Sequence, residues 1–144
     1  MRPFAFLLLL AAAPLAAQTA AAPAATPAAP PSAEFMPLGR QLTGWLLSGQ
    51  ADSILAHMTP DVREKVGGRE GILKMTSMIA MRAGEEAQLV EEKMTRRKGS
   101  PQYWRSAMFS NMAEEPLVIR WVFDEQRNVI GAGVNPLSAA PAAD

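Results

Sequence analysis

The chain has 144 residues, enough for one domain, with 14 Lys and Arg against 14 Asp and Glu and a formal net charge of zero. A nucleic-acid binder carries an excess of cations to neutralise phosphates, and a membrane-surface protein carries a polybasic patch; this charge balance argues against both. There is no cysteine and one histidine, His57, which excludes disulfides, thiol catalysis and cysteine- or histidine-rich metal sites, and makes His57 the base of any Ser-His-Asp arrangement.

The N-terminus reads as a targeting segment. Arg2 supplies a positive start, and residues 4–17, FAFLLLLAAAPLAA, form an apolar stretch too short and too rich in alanine for a membrane span. Residues 1–17 are therefore read as a signal peptide cleaved after Ala17, with no cysteine to carry a lipid anchor, and the product as exported, periplasmic or secreted. Residues 18–32, QTAAAPAATPAAPPS, hold no charge and no large apolar side chain to bury, so they are expected to be a disordered linker. The tail, 136–144, has the same composition, which leaves a folded unit over 33–135.

The first half of that unit is helical in pattern. Over 33–48, Phe35, Leu38, Leu42, Trp45 and Leu46 recur at spacings of three and four, with Ser32 as N-cap, Pro37 in the first turns and Gly49 as the stop. A short helix is expected over 52–58. Thr59-Pro60 then provides a cap and a first helical position for a third helix to Val66. A fourth runs over 69–82 with Ile72, Leu73, Met75, Met78, Ile79 and Met81, and stops at Ala83-Gly84.

The period then changes. AQLVEEKMTRR, QYWRSAMFS, LVIRWVFD and NVIGAGV alternate or are rich in β-branched and aromatic residues, and read as four strands. Gly99-Ser100-Pro101, the stretch 111–116 and the stretch 124–127 separate them. Such short connections predict an antiparallel meander. Helices first and strands after give an α+β fold with the helices packed on one face of a curved sheet. Leu117, Ile119, Trp121 and Phe123 form the core row of the third strand, and Val118, Arg120 and Val122 the opposite row. Gly131 and Gly133 weaken the last strand unless the backbone bends there or something packs closely on it.

Three stretches carry a resemblance: GQADSILAHMTPDVREKVGG (49–68), YWRSAMF (103–109) and IRWVFDEQRNVIGAGV (119–134). With the order of elements, they resemble the cone-shaped nuclear-transport-factor-two-like superfamily, which includes ketosteroid-isomerase-like and polyketide-cyclase-like proteins, and more narrowly an uncharacterised exported bacterial subfamily. The family usually places a glycine in the last hairpin turn; Arg127 or Asn128 fills that place here, and asparagine tolerates positive φ. The resemblance implies a cone with a concave inner face, and it extends to catalysts, binders and oligomerisation modules alike. It also implies that Phe109 faces the concave side, which would carry Arg105 toward the cavity.

The candidate ligand-binding residues are Trp45, His57, Tyr103, Arg105 and Trp121. His57 is either a general base in the cone's mouth or a helix C-terminal histidine favoured by the dipole. Arg105 is either a cavity group bound to a carboxylate of the protein or a ligand, or an exposed cation beside Glu91 or Glu92. Met75, Met78 and Met81, with Trp45 and Trp121, suit an apolar pocket, a dimer seam or plain core. The charged run 91–98, EEKMTRRK, is a docking edge or a solvated face that discourages edge pairing. Val118 and Val122 beside Arg120 suit a homodimer contact through the outer sheet face. Isomerase chemistry needs a carboxylate base near Tyr103, whereas Asp52 and Asp61 start helices and Asp124 starts a turn. No loop of spaced acids suggests calcium, and no cofactor is expected. These observations favour an exported non-enzymatic module that binds a small apolar ligand or an envelope protein partner. The alternatives are a cofactor-free isomerase- or cyclase-like enzyme and a structural dimerisation domain.

Overall fold

The computed structural model describes residues 33–142. The expected signal peptide, the linker and the Ser32 cap lie outside the described residues. A 3-10 turn, Ala33–Phe35, leads into α1 (Met36–Leu47), followed by α2 (Ala51–Ala56), α3 (Pro60–Lys65) and α4 (Gly68–Arg82). Four strands follow: β1 (Glu86–Arg97), β2 (Ser100–Phe109), β3 (Met112–Phe123) and β4 (Val129–Pro136). They form an open antiparallel sheet in the order β1-β2-β3-β4. The α+β architecture, with N-terminal helices on a curved meander, is thus the one that the sequence pattern predicts.

Each helix has a local cause and a local stop. Leu38, Leu42 and Leu46 are spaced by four and buried, which seats α1 on the sheet. Thr59 takes an extended conformation before Pro60, as an N-cap should, yet its side chain makes no capping bond; its carbonyl accepts from Val62 and Arg63 instead. Gly49, Gly67 and Gly84 adopt positive φ at helix ends, a conformation that costs glycine little. The second helix is shorter than expected: it ends at Ala56, and Met58 instead bridges Val129 of β4.

The strand boundaries depart from expectation in three places. The β1–β2 turn is Lys98-Gly99, both at positive φ, so Ser100 and Pro101 already belong to β2. Residues 112–116, expected to lie in a connection, are the first part of β3 and follow a turn at Ser110 and Asn111. At the other end β4 continues to Pro136, and Leu137–Ala139 forms a 3-10 turn whose Ser138 N–H donates to Glu115 Oε1 at 2.6 Å. Ordered backbone therefore occupies positions where the composition suggested a disordered tail. In the last hairpin Arg127, not Asn128, takes the positive φ. Asn128 is engaged elsewhere: its backbone N–H and its side-chain amide both donate to the Asp124 carboxylate. The Arg127 guanidinium lies 5.9 Å from the centre of the Phe35 ring.

The core lies between the helices and the inner face of the sheet. Tyr103, Phe109, Ile119, Trp121 and Phe123 meet Leu42, Leu46 and Ile54, all at most 2% exposed. Register irregularities in all three strand pairs bend the sheet around this layer. The contact of α1 with β2 is unusually close at Gly39: a Cβ there would run into the Tyr103 ring. Gly39→Ala should therefore cost about 1–3 kcal/mol by overpacking. Gly44→Ala on the same helix, where no atom lies within 4 Å of the new methyl, should gain about 0.5–1 kcal/mol. Urea unfolding of the two variants separates these effects by sign.

Candidate functional site

A cluster of charged groups sits where α1 crosses β1 and β2. Register places Glu92 opposite Arg105 and Met94 opposite Tyr103, so Glu92, Tyr103 and Arg105 share the inner face. Arg40 of α1 closes the cluster from above. Its Nε and Nη2 donate to Glu92 Oε2 at 2.9 and 2.6 Å. The Tyr103 hydroxyl donates to Glu92 Oε1 at 2.5 Å, and Arg105 Nη1 donates to the same oxygen at 3.2 Å. Arg105 also forks onto Glu86, with Nη2 to Oε1 at 2.5 Å and Nε to Oε2 at 3.1 Å. The Glu92 side chain is 9% exposed, so these bonds replace most of its water.

The electrostatics follow from this geometry. Hydrogen bonds from Arg40, then from Tyr103, hold the Glu92 carboxyl below the usual carboxylate range, against the opposing effect of burial. Burial, then the ionised Glu92 beside it, pushes the Tyr103 phenol well up. The hydrogen bond to Glu86 raises Arg105. Both Glu92 oxygens are engaged by donors, and the phenol keeps its proton at neutral pH. A catalytic base needs a free lone pair and a pKa near the working pH. This arrangement has the opposite character: it is an ion-pair lock between helix and sheet.

The structure brings Tyr103 and Arg105 together here, but separates them from the other residues singled out in sequence. Arg105 is three-quarters or more buried on the inner face and is bound by two protein carboxylates. Of the two acids expected beside it, Glu92 takes the role; Glu91 pairs with Lys93 at 2.9 Å. Glu86 lies one residue before the expected start of the strand at Ala87, and irregular pairing between Glu86 and Glu91 shifts its register. Trp121 is buried in the core, and its indole N–H donates to Thr43 Oγ1 at 2.9 Å, which in turn donates to the Gly39 carbonyl. His57 caps the C-terminus of α2 and stacks on Trp45 with ring centroids 5.5 Å apart. It borders a hollow of about 380 Å³ that it shares with Gln41 and Gln126.

A further concavity lies elsewhere. A groove of about 480 Å³ runs between the C-terminal half of α4 and the near ends of β3 and β4. Met75, Met78, Ile79 and Ala83 form one wall, and Met112, Leu117, Val134 and Pro136 the other, with Arg82 supplying a positive charge. Met75 and Met78 at helical spacing are the sequence signal for one wall. Met81 turns away and is 80% exposed. None of Trp45, His57, Tyr103, Arg105 or Trp121 lines this groove. Among the described residues, no group of three or more His, Asp or Glu side chains is placed to hold a metal ion.

If the Glu92 cluster is a lock, Glu92→Gln should lower stability at neutral pH by about 1.5–3 kcal/mol, the worth of hydrogen bonds to a charged group. The Glu92 pKa is depressed in the folded state, so its contribution is complete above the ordinary glutamate value of about 4.3 and is lost as pH falls through the native value. Unfolding curves of the wild type and the variant should accordingly converge on acidification below about pH 4. Compared with family models, curated proteins and solved structures, the chain has no match in any of the three.

Proposed function

We propose that this chain is an exported, non-enzymatic binding module that takes a small apolar ligand in the groove between α4 and the sheet. The observation that carries the reading is the groove itself: about 480 Å³, walled by methionine and aliphatic side chains, with Arg82 at its border. Its volume and lining match those of small-molecule sites, in which apolar walls provide affinity and a few polar groups set orientation. Methionine walls adapt to ligands of irregular shape. The carboxylate, phenol and guanidinium groups that an isomerase-like mechanism would use are committed to one another at Glu92, away from this groove. Export rests on Arg2 and the apolar run 4–17. Membership of the nuclear-transport-factor-two-like superfamily belongs to the same proposal. It is supported by the order of helices and meander.

Native mass spectrometry of the chain purified from its exporting host tests the reading. An adduct that stays on the folded protein and leaves on unfolding is the expected result. Met78, 42% exposed on the groove wall, offers a substitution that spares the core. Met78→Glu should reduce occupancy tenfold or more by placing a carboxylate among apolar walls, with little change in melting temperature. A bare protein mass, or an adduct indifferent to Met78→Glu, would overturn the groove as the binding site.

A further inference from the structure

The outer face of the sheet, opposite the helices, is not an ordinary solvated surface. Trp104 and Arg120 lie directly opposite each other on β2 and β3, and each is 7% exposed; Gln102, Ser106 and Val118 beside them are at most 2% exposed. The described residues contain three buried side-chain polar atoms without a hydrogen-bond partner: Gln102 Oε1, Trp104 Nε1 and Arg120 Nε. All three belong to this one face. Arg120 has a single polar partner, Asn135 Oδ1, which accepts from Nη2 at 2.9 Å. A glycine makes room for this guanidinium: a Cβ at Gly133 would press on Arg120 Nη2.

Glu91 and Lys93 pair on this face, and Arg120 is left without an acid. Burial and the nearby Arg97 cation disfavour the charge on Arg120, and no carboxylate among the described residues offsets them. The Lys93 ammonium lies 5.7 Å from the centre of the Trp104 ring. Glu91, the acid nearest in register, is already paired with Lys93. A buried guanidinium without a counter-ion is costly and is ordinarily matched by a carboxylate. Two N–H donors on residues paired in register lack acceptors, while Gln102 Oε1 on the same face lacks a donor, so the unmet groups are two donors and one acceptor.

We propose that this outer face, centred on Trp104 and Arg120, is the docking site for an acidic segment of a partner protein, whose carboxylate accepts from Trp104 Nε1–H and Arg120 Nε–H. The half-exposed Lys93 side chain swings off the Trp104 ring to admit it. Trp and Arg are the residue types enriched at the centres of protein interfaces; here each is 7% exposed in the free chain, so docking must uncover them before it covers them. Cations this few in a chain of zero net charge give little purchase on nucleic acid. A second copy of the chain would bring the same uncompensated cations to the face. The site is independent of the groove described above.

The test is nuclear magnetic resonance of the 15N-labelled chain titrated with an acetylated decapeptide of alternating Asp and Val, with the Asn-Val peptide as control. The Trp104 indole and Arg120 Nε–H signals should move saturably with the Asp peptide and stay still with the control. Arg120→Met should weaken binding at least tenfold while keeping or raising the melting temperature, because it removes a buried charge that lacks a counter-ion. Trp104→Phe, which deletes only the donor end of the ring, should weaken it several-fold. Unmoved signals, an equal response to the Asn peptide, or wild-type binding by Arg120→Met would overturn the proposal. So would sedimentation showing a dimer that covers this face, or protection of both donors by phosphatidylglycerol vesicles but not by the peptide.

Discussion

The close seating of α1 on β2 is the constraint on which the rest of the structure depends. Gly39 lets the helix backbone rest against the Tyr103 ring, where any larger residue would hold the two apart. At that separation Thr43 reaches the Trp121 indole, and Arg40 reaches Glu92 across the top of the sheet. A helix standing further off would leave the indole N–H and the Glu92 carboxylate without these partners in a site shielded from water, where each is expensive. One missing methylene thus positions a hydrogen-bond chain, an ion-pair cluster and the apolar layer between them.

The two faces of the sheet divide the chemistry. On the inner face every strong donor near Glu92 has an acceptor, and the cluster is electrically closed. On the outer face the Trp104 and Arg120 donors and the Gln102 Oε1 acceptor remain open. Closed networks of this kind rigidify and specify an interior; open ones are the exceptions that call for an explanation. The contrast is the reason for placing ligand chemistry away from Tyr103 and Arg105, in spite of their prominence in the sequence.

How much of this was legible beforehand varied with the physics of each element. The spacing by four of Leu38, Leu42 and Leu46 announced α1, which has one wet side and one dry side; the alternation of Leu117, Ile119, Trp121 and Phe123 announced the core face of β3, but gave no sign that Val118 and Arg120 on its other face are buried as well. The faces of β2 could not be separated by alternation, since Tyr103 and Trp104 are both buried. Glu86 escaped notice because it lies one residue before the expected start of the strand at Ala87, and register irregularities in β1 break the simple two-residue count. The groove unites Met75 with Pro136, a residue whose Ala/Pro-rich neighbours read as a tail, and no local pattern connects them. The glycines of β4 were legible as sites of close approach, and Arg120 on Gly133 is that approach.

The meander also has a consequence for how the chain finds its shape. Each strand pairs with its neighbour in sequence, and the β1–β2 turn spans two residues, so closing a hairpin costs little loop entropy. The bond from Trp121 to Thr43 joins residues 78 apart and requires α1 to be seated on the sheet. Chain closure is therefore unequally divided: the strand pairings are local, while the helix–sheet contacts, among them Arg40 to Glu92 and Thr59 N–H to the Val129 carbonyl, join distant parts of the chain.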